Sequence, residues 1–246
     1  MKTGIISSST AAQPAAAPSA AAMPLWAAAR ATLAKDLRLE WRSKDALNAM
    51  LFFALLVVVI FSFAFDLTSE QAREIIGGLV WVAFLFSATM ALNQSWAREL
   101  RNQALDAFRT SGAPANALFL GKALGNFVFV CALEVIVAPL FIVFFNLRIL
   151  GQPLELVWIF LLGTWALVVN GAFFAAVSLR TRSRELMLPL LLFPITIPAL
   201  ISMVQGTAAV LTGALEPAAH IRFLAVYDIV FTTLALLLFE SVLGAE

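Results

Sequence analysis

Few side chains in this chain could do chemistry, and their numbers already exclude most reactions. One cysteine, Cys131, allows no internal disulfide, no CxxC redox pair, no cysteine zinc site and no CxxCH haem attachment. One histidine, His220, rules out HExxH and histidine-rich metal sites, which need at least two imidazoles. The pair Gly121-Lys122 has the look of half a nucleotide loop. Ala123 follows where Ser or Thr is required, however, and Asn116 stands in place of the first glycine. Any ATP used with this protein must be bound by another chain. No nucleophile is spaced to meet a base, so no catalytic residue and no metal site is expected.

Two carboxyl groups, Glu134 and Asp228, lie inside long apolar runs. An unpaired carboxylate in hydrocarbon is expensive, so each is a candidate polar element of a subunit interface or a conduit. The plainer reading is an interhelical hydrogen bond, with Asn126 or Asn170 as partner. His220 reads as a solvated residue of an external loop.

The elements that must position these groups are set by composition. Of 246 residues, 62% are hydrophobic and 13% charged, about half the charge content of a soluble domain. Mean hydropathy is +0.94. So few charges cannot cover a water-exposed surface, and the solvent for most of the chain is a bilayer. A formal net charge of +1 gives no basic footprint for nucleic acid.

Residues 1–25 are rich in Ala, Ser, Thr and Pro, carry one charge (Lys2), and lack the leucine-rich core of a signal peptide. They read as a disordered tail, with Met23 as an alternative start. Residues 26–45 read as an interfacial helix. Leu33, Leu37 and Trp41 form an apolar stripe for the acyl chains, with Lys35, Arg38 and Arg42 on a basic face towards anionic lipid.

Residues 46–246 form the membrane domain. Spans are expected at 46–65, 75–97, 117–145, 156–179, from 186, and at 223–243. The fifth apolar run, 186–215, has 30 uncharged residues, which as straight helix reaches about 45 Å and overshoots the bilayer. Pro189, Pro194 and Pro198 should kink it, ending the span near Met203 with a short re-entrant helix before His220. Of the 16 Lys and Arg, 13 fall on the side of the N-terminus and the second and fourth loops. Only Arg73, Arg148 and Arg222 fall opposite, which places both termini in the cytoplasm.

The longest internal connection, 98–116, is ordered by its own pattern. Leu100, Ala104 and Phe108 repeat at i, i+4, Arg101 and Arg109 carry charge, and Ser111-Gly112-Ala113-Pro114 supplies a C-cap and stop. A short amphipathic helix is expected there, with Phe108 able to enter a partner's groove. A helix lying on headgroups is the alternative.

Lys35-Asp36-Leu37-Arg38-Leu39-Glu40-Trp41-Arg42 leads into Ala46-Leu47-Asn48, and Gly78-Leu79-Val80-Trp81-Val82-Ala83-Phe84 continues to Asn93 and Arg98-Glu99. Further along stand Ala104-Leu105-Asp106-Ala107-Phe108, Pro114, Gly121-Lys122, and Phe193-Pro194-Ile195-Thr196-Ile197-Pro198. Together these resemble the CcmB family, the permease subunit of the cytochrome c maturation ABC transporter. The chain departs from many related type-2 exporters in having Gln103-Ala104-Leu105-Asp106 where they have Gly-Thr/Ser-Leu-Glu.

The resemblance implies an all-α permease with an elbow helix and six spans, forming a homodimer in the bacterial inner membrane. Each copy would rest on a CcmA-type ATPase through Arg98, Glu99, Arg101, Asp106 and Phe108, with Pro194, Thr196 and Pro198 in a kinked fifth span. It further implies haem handling for c-type cytochromes, with CcmC- and CcmD-type subunits and a haem chaperone as partners. No haem motif occurs in this chain, where axial ligands would have to come from His220, a methionine, Cys131 or Tyr227, so haem is expected on a partner. The alternatives are the permease of another type-2 exporter (lipid, polysaccharide or drug) and a non-transporting scaffold. A secondary transporter is disfavoured, since the proline-broken segment has no counterpart in the first half.

Overall fold

The computed structural model describes residues 23–64, 70–102, 105, 108, 110–145, 153–179, 184–213 and 216–244. The tail read over 1–25 lies, up to residue 22, outside the described residues. Every named element is a helix: α1 (Leu25–Ser43), α2 (Asp45–Ala64), α3 (Glu70–Arg101), α4 (Ala115–Phe144), α5 (Pro153–Ser178), α6 (Arg184–Thr212) and α7 (Ala218–Gly244). Six of them, α2 to α7, are long and apolar enough to cross a membrane, so this is an all-α multi-pass membrane protein.

Helices α3 and α5 are the most buried and form the centre of the bundle. Helix α5 packs between α6 and α7, α3 packs on α2 and α6, and α1 lies along α4. Where α3 meets α5, Gly163 leaves room for the Trp81 ring, which a Cβ would strike. Trp81 stacks obliquely on Phe160 with centroids 5.3 Å apart, and its indole N–H donates to Thr207 Oγ1 of α6 at 2.9 Å. A tryptophan can be fully buried here because its one polar atom has a partner.

Two sequence expectations change. Arg98, Glu99 and Arg101 do not begin a separate helix. They form the last turn of α3, whose 32 residues reach about 48 Å and so extend past a hydrocarbon core of about 30 Å. The fifth span also does not break near Met203 into a re-entrant segment, because α6 continues as one helix to Thr212. Near the last of its three prolines a neighbouring helix supplies a donor. Thr196 Oγ1 donates to Leu192 O at 2.9 Å, and Tyr227 of α7 donates to Ile195 O at 2.9 Å, in the turn opened by Pro198.

Candidate functional site

At one end of the bundle the described residues bring six charged side chains together. The joint starts from α1, whose buried face is not its leucine stripe but Ala28, Ala29, Thr32, Asp36 and Glu40. These residues recur at three- and four-residue steps, so they share one side of the helix. Small residues let the backbone come close, and the two carboxylates are carried inward with them. On α4, Gly121 accepts that approach. A Cβ there would lie 2.5 Å from Thr32 Cβ and 2.8 Å from the Ala29 carbonyl. Gly125, one turn on, faces Asp36 and Leu33. Two glycines at i, i+4 provide the flat surface that close helix pairs use in membranes.

Between those glycines on α4 projects Lys122, 1% exposed. Its ammonium lies 2.8 Å from Asp36 Oδ2 of α1 and 2.5 Å from Glu99 Oε1 of α3. It also donates to Ser95 O at 3.3 Å and Ser95 Oγ at 3.2 Å, and sits 5.8 Å from the centre of the Trp96 ring. Two carboxylates and one serine thus surround its ammonium, which has three N–H donors to offer. Lys35 closes the ring from α1, pairing with Glu99 and, at 3.5 Å, with Asp36.

Glu40 forms the second half of the joint. One oxygen accepts the Leu47 N–H of α2 at 3.1 Å, and the other meets Arg98 Nη1 of α3 at 2.6 Å. A single carboxylate thus ties α1 to the first turn of α2 and to the end of α3, and an anion at a helix N-terminus is well placed. Between α1 and α2 stands only Lys44, with φ +56°, whose N–H closes on Glu40 O at 2.7 Å. Lys35, Arg98 and Lys122 balance Asp36, Glu40 and Glu99, so the joint is neutral. Burying charge is tolerable when every ion has a partner, and removing one partner is then costly.

The structure divides the sequence-derived coupling residues. Glu99 is 4% exposed and Arg98 partly buried, both engaged inside the joint. Arg101 is exposed. Asp106 lies outside the described residues. Phe108 does not stand free for a partner, because it is half-buried against the core. The expected stop is present: Gly112 has φ +67°, Ser111 Oγ donates to Phe108 O at 2.6 Å, and Pro114 caps α4.

Inside the bundle, Glu134 of α4 accepts a hydrogen bond from Thr164 of α5, not from Asn126 or Asn170. Asn126 donates to Lys122 O and Asn170 to Tyr227 OH. Asp228 on α7 is 6% exposed, and neither carboxyl oxygen has a hydrogen-bond partner among the described residues. His220 is not a free loop residue but part of the first turn of α7, with Nδ1 3.3 Å from Ser202 Oγ of α6. Sequence reasoning missed Asp36, Glu40 and Lys122 as one unit. The available signal was the repeat of acids and small residues along α1 facing Gly121-x-x-x-Gly125.

Comparison with known proteins places this architecture. The CcmB protein family profile matches residues 27–243. Heme exporter protein B of Rhodobacter capsulatus is 33% identical over 86% of this chain and 95% of its own length. The protein of that name from Paracoccus denitrificans is 33% identical with the same coverage, and that of Pseudomonas aeruginosa 31% over 78% and 86%.

Proposed function

Because the chain belongs to the CcmB protein family, we propose that it is the membrane-spanning permease subunit of an ABC transporter acting in haem handling for c-type cytochrome biogenesis. Its relatives named Heme exporter protein B support the haem assignment. ATP is bound by a separate CcmA-type subunit, one docked on each copy of a permease dimer in the bacterial inner membrane, a reading supported by the lack of a Walker A sequence in this chain. CcmC- and CcmD-type subunits and a haem chaperone complete the assembly, and haem itself is held by those partners.

The single observation that carries the mechanical part is the joint around Lys122. The 102–114 connection is flanked by the last turn of α3 and the first turns of α4, and ion pairs fasten both to α1. An ATPase seated under that connection, touching Arg101 and the exposed turn at Ser111-Gly112, would move α3, α4 and α1 together when its two copies close on ATP. The permease converts that displacement into a change of span packing and performs no bond chemistry. With both termini cytoplasmic, as the Lys and Arg distribution indicates, the joint lies on the ATPase side.

The test is reconstitution of the chain with its ATPase and partners, followed by release of haem-loaded chaperone. Release should require hydrolysable ATP. Equal release with a non-hydrolysable analogue would overturn the coupling, and an assembly inert towards haem chaperone but active on another substrate would favour a different type-2 exporter.

A further inference from the structure

The inward turn of the acids on α1 redraws the basic face read from the sequence, placing Trp41 beside Arg38 and Arg42 and drawing Lys35 into the joint. Read in order, residues 35–42 alternate sign and nearly cancel. In the fold Asp36 and Glu40 are buried, and Lys35, 41% exposed, has its charge offset by Glu99 and Asp36. What remains outside is Trp26, Arg30, Arg38, Trp41 and Arg42, all exposed, with Trp26 at 62% and Trp41 at 81%. At about 100° per residue these five fall within roughly 160° of arc, opposite the joint. Lys44 extends the cationic strip, and Asp45, opening α2, is an exposed carboxylate beside it.

Two exposed tryptophans interleaved with arginines suit one environment in particular. Indoles settle at the headgroup level, their rings among the upper acyl carbons, while guanidinium groups pair with phosphate. Depth agrees, because a single residue separates α1 from α2, a membrane-crossing helix, so α1 is held at the edge of the hydrocarbon. The Arg30 Nε–H is turned back on the Trp26 carbonyl at 3.3 Å, which holds the guanidinium against the helix.

We propose that this face of α1 is a binding site for anionic phospholipid headgroups. The lipid clamps the elbow helix from outside while Lys122 holds it from within, so anionic lipid in that leaflet stabilises the joint. Only the choice of leaflet, the cytoplasmic one, rests on the orientation given above, and lipid binding by the purified chain can be tested without any partner.

The experiment uses the full chain in neutral detergent, with phosphatidylglycerol, phosphatidylcholine and soluble glycerol phosphate as probes. Lipid retention is followed by native mass spectrometry and thermal stability by unfolding. Phosphatidylglycerol should be retained preferentially and should raise Tm, whereas phosphatidylcholine should not. Each basic side chain at an anionic surface is worth about fivefold, so Arg38→Gln with Arg42→Gln should lower the preference roughly 30-fold and leave stability in phosphatidylcholine unchanged. Three results would each overturn the proposal: an unchanged preference in the double variant, the same rise from glycerol phosphate, which would indicate a free-anion site, or loss of ATPase co-purification with lipid preference intact, which would give the face to a protein partner.

Discussion

Replacing Lys122 with methionine keeps the side-chain length and removes the charge at the centre of the joint. Wild-type Lys122 is 1% exposed and its partners Asp36 and Glu99 are 8% and 4% exposed, so water cannot take its place. Removing one partner of a buried pair costs about 3–5 kcal/mol, since the remaining charge is stranded. Lys35 softens the loss, because it already contacts both acids and is 41% exposed. The low end, about 3 kcal/mol, is therefore expected, or a Tm drop of about 6–12 °C for a chain of this size. The discriminating variant is Lys122→Met combined with Glu99→Gln. It restores neutrality and leaves Lys35 with Asp36, so most of the loss should return, to within about 1 kcal/mol of wild type. Thermal unfolding in detergent, followed by tryptophan fluorescence, reads all three proteins. A stable Lys122→Met protein, or a double variant worse than the single one, would refute the electrostatic reading of the joint.

Gly121→Ala should force α1 away from α4, because its Cβ would meet Thr32 Cβ at 2.5 Å. A loss of about 1–3 kcal/mol in thermal unfolding and faster trypsin cutting at Arg38 and Arg42 are expected. Glu134→Gln keeps an acceptor for the Thr164 hydroxyl and should leave stability within about 0.6 kcal/mol and cytochrome c maturation intact in a complementation assay. Asp228→Leu removes a buried carboxyl whose oxygens have no hydrogen-bond partner among the described residues, and should raise unfolding stability by about 1–3 kcal/mol. If maturation fails in that more stable protein, Asp228 serves function and not packing.

The spans were legible because stretches of twenty or more residues without a charge admit few readings, and apart from the end of the fifth the observed span windows agree with the expected ones to within about five residues. Gly112 was legible as a helix stop for the same local reason, a residue suited to positive φ between two periodic segments. What a period cannot reveal is which face of a helix meets its neighbour when both faces have a claim. Helix α1 offered a leucine stripe and an acidic, small-residue stripe, and the second won because Gly121 allows closer approach and Lys122 matches its charge. That match spans residues 36, 99 and 122 on three helices, beyond the reach of any local pattern. An interhelical hydrogen bond for Glu134 was foreseen, but its partner on α5 is Thr164 and not Asn170, because which residue of a facing helix comes level with it depends on how the two helices are offset. The continuity of α6 was hidden because Tyr227, on another helix, supplies a donor where a proline opens the chain.

The most direct test of the account is capture of the ATPase subunit by this permease, with Arg101 as the probe because it is exposed at the end of α3 and lies outside the joint. Wild-type protein and Arg101→Lys should co-purify with the ATPase, and Arg101→Glu should lose most of it while unfolding at the wild-type temperature. Full retention by Arg101→Glu, or ATP hydrolysis by the purified chain alone, would contradict a permease driven from the α3–α4 connection.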